Sequence, residues 1–145
     1  MENISRTKIH ELAMICIFQH LFYENSKLEK ENRKDMVEIV SDVMEKSFDE
    51  CDPFFKAIIF ETIKDQKILI EKYIQPKLVK WDFNRLPDEQ QAILLLFTSE
   101  IINHRVENQV AIDMAVDLAH RYDEKDDAYR YINKVLDRIS KEDAK

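Results

Sequence analysis

Leu12-Ala13-Met14-Ile15-Cys16-Ile17-Phe18-Gln19-His20-Leu21-Phe22-Tyr23 is the stretch that decides the fold. Only Gln19 and His20 in it are plainly polar. Together with Ile9, the positions Leu12, Ala13, Cys16, Ile17 and Leu21 form one stripe at helical spacing. Met14, Ile15, Phe18 and Phe22 form a second stripe on the same helix. A helix that is apolar nearly all round needs cover nearly all round. Either it lies at the centre of the fold, or one stripe docks against another chain.

The same periodicity extends outward from this helix, which is predicted to run from about Ser5 to Tyr23. A charged connection from Glu24 to Asp35 contains Ser26-x-x-Glu29, the pattern of a capping box. Met36, Val37, Ile39, Val40, Val43 and Met44 mark a second helix. Asp52-Pro53 opens a third, with aspartate suited to capping and proline to the first helical position. Its stripe runs from Phe55 towards Ile74, with room for a break near Lys64-Asp65, and Pro76 closes it. Leu78 to Pro87 holds the one tryptophan, Trp81. Helices are predicted from about 88 to 104 around Ile93-Leu94-Leu95-Leu96-Phe97, and then up to about Tyr122. Asp123-Glu124-Lys125-Asp126-Asp127 reads as a turn and helix start, its carboxylates favouring the positive end of the last helix's dipole. Ala128, Tyr131, Ile132, Val135, Leu136 and Ile139 form the stripe of that helix. The pattern predicts an all-α chain of about seven helices.

Composition narrows the function classes. The 145 residues, enough for one domain or two tightly joined halves, include no glycine, where average usage of about 7% gives roughly ten. This excludes the phosphate-cradling P-loop, the dinucleotide fingerprint and the glycine-flanked serine elbow of hydrolases. The net charge is −7 and the pI about 5.2, so the chain is not expected to coat nucleic acid. Any such contact is local or shared with a basic partner. Cys16 and Cys51 are isolated and read as buried free thiols in a reducing cytosol. The N-terminus lacks the apolar run of a signal peptide, and no apolar stretch approaches the roughly 20 residues that span a bilayer. A cytoplasmic protein is expected.

No pattern argues for catalysis or a metal. His10-Glu11-Leu12-Ala13-Met14 misses the zinc-protease signature, because Met14 stands where the second histidine is needed. Glu100 and His104 are four apart and read as a solvent-side pair. There is no Cys-x-x-Cys, and the serines lack an evident partner constellation. The cluster Arg6, Lys8 and His10 is more informative, standing at a helix start in an acidic chain. Tyr122, Tyr129 and Tyr131 near the last turn are the aromatic type that stacks on unpaired RNA bases. By spacing, Tyr131 belongs to the core stripe.

Three segments, taken together, resemble the NusB family of bacterial transcription antitermination factors. The first runs from Arg6-Thr7-Lys8-Ile9-His10-Glu11 through Ala13 to Phe18-Gln19. The second is Trp81-Asp82-Phe83-Asn84-Arg85-Leu86 followed by Ala92-Ile93-Leu94 and Glu100. The third is Val110-Ala111-Ile112-Asp113, Ala115-Val116 and Leu118-Ala119, then Tyr131-Ile132-Asn133-Lys134-Val135-Leu136-Asp137. Order and spacing agree from about residue 5 to 139.

The resemblance implies a single NusB-like domain over 1–145, with an N-terminal helical half (about 1–75), a C-terminal half (76–140) and a charged tail (141–145). It implies no enzymatic activity and no cofactor. It implies binding to the boxA element of ribosomal-operon leader RNA with NusE, a ribosomal protein, among other Nus factors of the elongation complex. The RNA-facing residues then fall on Arg6, Lys8, His10, Asp127 and Tyr131. The partner surface falls on Phe18, Phe22 and Gln90. Against the family pattern, His10 replaces an arginine, Gln90 and Gln91 replace an acidic-basic pair, and Glu107 stands near where a proline is common. One extra residue falls in the turn from Asp123 to Asp127, and Lys134 replaces a glycine, where it either adds a phosphate contact or blocks RNA approach. Two alternatives stay open: a protein-binding module on the same fold that has lost its RNA, and the RNA-targeting domain of a ribosomal-RNA methyltransferase. Self-association through the Phe18 and Phe22 face also stays open.

Overall fold

The computed structural model describes residues 5–123 and 127–143, and the described residues are helical with no strand. The helices are α1 (Arg6–Asn25), α2 (Met36–Met44), α3 (Pro53–Lys64), α4 (Gln66–Ile68), α5 (Asp88–Ile102), α6 (Asn108–Tyr122) and α7 (Ala128–Asp143). The all-α expectation with seven helices therefore holds.

Local chemistry sets the boundaries. Ser5 caps α1 by accepting from the Lys8 amide, and Asp35 caps α2 by accepting from the Glu38 amide. Asp52 accepts from the Phe54 and Phe55 amides ahead of Pro53, as the sequence suggests. Ser26 does not start a helix. Its hydroxyl donates to the Tyr23 carbonyl and ends α1, so the capping box ahead of α2 is Asp35-x-x-Glu38 instead.

The break near Lys64-Asp65 is real. Beyond α4 the chain widens into a π-type turn, Leu69–Ile74, where the Gln75 amide reaches back to the Ile70 carbonyl. A 3₁₀ turn, Gln75–Lys77, then closes it around Pro76, which has no amide hydrogen to continue the ladder. The last helix outruns the charge pattern. α7 takes in Lys141 to Asp143 of the expected tail, with Lys141 paired to Asp137 at 3.0 Å.

α5 is the axis of the molecule, and every residue from Gln90 to Ile101 is buried. α1, α3, α6 and α7 all pack on it, and one apolar core runs from Ala13 to Ile139. This explains the composition of α1. Its first stripe fills the core, whereas its second grades from buried Met14 through half-buried Ile15 and Phe18 to exposed Phe22. Asn25 reaches Asp88 at one end and His10 reaches Glu100 at the other, so α1 and α5 are antiparallel. No helix is long and apolar enough to cross a membrane, among the described residues.

Candidate nucleic-acid and partner interface

The first turn of α1 carries Arg6 and Lys8, both exposed, and no acidic residue. Cations there oppose the positive end of the helix dipole, at a cost of about 0.3–1 kcal/mol each at low salt. Lys8 is partly offset by Glu11 at 3.4 Å. Arg6 lines a shallow groove with His104, Arg105 and the start of α6.

Beneath this turn His10 is fully buried, which corrects its assignment to the RNA-facing set. Its Nδ1 lies 2.8 Å from the Arg6 carbonyl, so that nitrogen carries the hydrogen and donates. Its Nε2 lies 2.8 Å from the Glu100 carboxylate, and its ring stacks on Phe97 with centroids 5.8 Å apart. No phosphate can reach it. His10 is a strut that ties the Arg6 backbone to α5.

Glu100 corrects a second expectation. It has no exposed surface and does not pair with His104. It accepts from His10 and from Arg105 Nε at 2.7 Å, and Arg105 also pairs with Glu61. Burial pushes the Glu100 carboxyl up, but the hydrogen bonds from His10 and Arg105 and the Arg105 charge hold it below the ordinary carboxylate range. His104, at φ 54°, instead turns out towards Asp143.

A further bridge joins α1 to α6. Glu11 accepts from the Tyr122 hydroxyl at 2.5 Å and from Arg121 at 3.2 Å. The Tyr122 hydrogen bond, with burial opposing it and Arg121 and Lys8 assisting, lowers the Glu11 pKa. The same bond raises that of Tyr122.

The apolar side of the interface lies along the second stripe of α1. Met14, Ile15, Phe18 and Gln19 line a groove of about 500 Å³ with Glu89 and Tyr122. Phe18 is half-buried in its wall, and Phe22 beyond it is 49% exposed and edge-on to Tyr23. Gln90 corrects a third expectation. It is only 3% exposed and its amide is spent on Asp123, so it offers nothing to a partner.

The remaining candidates lie on α7. Asp127, exposed with φ 49°, precedes its first turn. Residues 124–126 of the expected turn, with the extra residue, lie outside the described residues. Tyr131 is half-buried and stacks on Trp81, and Lys134 is exposed one turn later. Arg6 on α1 and the pair Tyr131 and Lys134 on α7 line separate grooves. Sequence reasoning missed the His10–Glu100–Arg105 network and the Trp81–Tyr131 pair. Among the described residues no three His, Cys, Asp or Glu side chains could hold a metal ion.

The sequence model described as "NusB family" matches residues 7–141. A transcription antitermination protein NusB from Clostridium tetani is 29% identical over 96% of this chain and 99% of its own length. That of Staphylococcus epidermidis strain RP62A is 28% identical over 88% of this chain and 95% of its own length. That of Gloeothece citriformis is 37% identical over 82 residues, which span 57% of this chain and 38% of that protein. Among solved structures, T. maritima NusB superposes with a TM-score of 0.75 at 26% identity, over 97% of this chain and 94% of that one.

Proposed function

Because the chain belongs to the NusB family, whose members are non-enzymatic transcription antitermination proteins, we propose that it binds boxA-like leader RNA of ribosomal operons together with NusE. The observation that carries this reading is the pair of exposed cations, Arg6 and Lys8, held against the dipole of α1 by a buried strut. A turn that gives up stability to present positive charge fits a surface kept for phosphate. Asp127, Tyr131 and Lys134 complete the RNA surface on the α7 side. His10 acts from beneath, as a positioning residue.

The groove beside Phe18, with exposed Phe22 one turn further along α1, takes the protein partner. A basic ribosomal protein complements the net charge of −7. The site of action is the cytoplasm, in the elongation complex with other Nus factors.

Fluorescence anisotropy with a boxA-like RNA, with and without NusE, tests the proposal. Binding is expected in both mixtures at low salt and tighter in the second. Arg6→Ala with Lys8→Ala reduces the logarithmic salt slope by about 1.4, at about 0.7 per phosphate contact on single strands. Phe22→Asp removes the enhancement by NusE and leaves RNA binding by the chain alone intact. Absence of binding in both mixtures overturns the RNA role.

A second reading, a protein-binding module without RNA, draws on the burial of His10, which leaves two cations where the sequence suggests three. It requires NusE binding that RNA does not alter.

A further inference from the structure

The loop after the 3₁₀ turn at Gln75–Lys77 holds a large aromatic side chain in water. Trp81 is 58% exposed, although buried Leu78 and Phe83 lie on either side of it. The loop is pinned. The Gln75 side-chain amide donates to the Trp81 carbonyl at 2.8 Å and its oxygen accepts from the Phe83 amide at 2.9 Å. Asp82 accepts from the Asn84 amide at 3.0 Å and starts a 3₁₀ turn, Phe83–Arg85. The indole is therefore held outside by its backbone, and it stacks on Tyr131 with centroids 6.5 Å apart and planes 20° apart.

Cations surround this pair. Tyr131, Lys134 and Arg138 share one face of α7, at spacings of three and four. Lys80 faces them from the loop, across a groove of about 230 Å³. Lys77, also in the wall, is paired to Glu142. Among the described residues Lys80, Lys134 and Arg138 make no ion pair. Three uncompensated cations around a stacked aromatic pair stand out in a chain of net charge −7.

We propose that this groove is a docking site for single-stranded RNA, with one base stacked on Trp81 and the flanking phosphates on Lys80, Lys134 and Arg138. Both parts of the site fit that occupant. Phosphate neutralisation supplies affinity without sequence preference, and a base offers a flat π-face to a pre-stacked indole. An acidic peptide satisfies the cations but leaves the indole without a matching surface. The inference rests on the RNA-binding reading above and extends it: RNA that reaches Tyr131 continues across α7 onto the 77–81 loop. Lys134 then supplies a phosphate contact rather than an obstruction.

Trp81 is the only tryptophan, so its emission reports on this groove alone. The experiment titrates the intact protein with a boxA-like RNA extended by several nucleotides at each end, reading Trp81 emission and anisotropy of labelled RNA together. Quenching of Trp81 that tracks the anisotropy is expected. Trp81→Ala weakens binding about tenfold, and Trp81→Phe, which keeps a stacking ring, recovers most of it. The triple change of Lys80, Lys134 and Arg138 to Ala lowers the salt slope by about 2 and abolishes the quenching. Unchanged emission with a neutral Trp81→Ala, while binding still depends on Arg6 and Lys8, overturns the groove and leaves the proposed function standing. No RNA binding by the wild-type chain at low salt overturns both. Equal quenching by polyglutamate that the RNA does not displace overturns RNA as the occupant.

Discussion

Glu100 is an anion with no contact with water, compensated by His10 and by Arg105. Glu100→Gln leaves the buried His10 ring and the half-buried Arg105 guanidinium without their carboxylate, and a loss of about 3 kcal/mol in urea unfolding is expected. Glu11→Gln keeps an acceptor for Tyr122 but loses the charge facing Arg121 and Lys8, for a smaller loss of about 1–2 kcal/mol. The pH dependence has a definite sign. Both carboxyls have folded pKa values below the ordinary 4.5, so their stabilisation is complete above that pH and is lost as pH falls through the folded values. Unfolding curves from pH 7 to pH 3 should show stability falling on the acid side, less steeply in either variant. Little at this scale was legible in advance. His10 and Glu100 are 90 positions apart, and no periodicity links residues across that distance. A histidine beside two cations reads as part of a basic cluster until packing shows its ring beneath the helix.

The helices themselves were legible wherever burial imposes a period. The stripes on α1, α2, α3, α6 and α7 and the run in α5 each follow from one apolar side facing a shared core. The π-type turn was not, because its cause is Pro76 acting together with the docking of Leu69 and Ile74 into the core. Ser26 misled because serine hydroxyls serve helix ends as well as starts. The ends of the helices also show what a chain without glycine must do. Glu45 after α2, His104 after α5 and Asp127 before α7 all adopt positive φ. Each accepts a Cβ clash of about 1 kcal/mol that glycine avoids. Glu45→Gly, at an exposed left-handed cap, should raise stability by about 0.5–1 kcal/mol and the melting temperature by about 2–4 °C. A fall in the melting temperature would show that the lost side chain mattered more than the relieved backbone.

Across the whole molecule, stability converges on α5. Leu95, without exposed surface in its middle, should lose about 3 kcal/mol on change to Ala, seen as a lower urea midpoint with an unchanged slope. The surface, by contrast, divides between α1 and α7. The basic turn and the Phe18 groove lie along α1, and the Trp81 groove lies against α7. The first of these was visible in sequence because its residues are neighbours on one helix. The second was not, because Trp81 and Tyr131 meet only when the loop after α4 folds against α7. Cys16 on α1 and Cys51 ahead of α3 are buried free thiols, and burial, with Cys51 nearby, pushes the Cys16 thiol up to about 12. Because the thiolate is the reactive form, alkylation at neutral pH proceeds only when α1 lifts from its neighbours. The chain thus carries an internal stopwatch for the opening of its first helix. A ligand that clamps α1 slows that stopwatch, and one seated only against α7 leaves it running at its original rate.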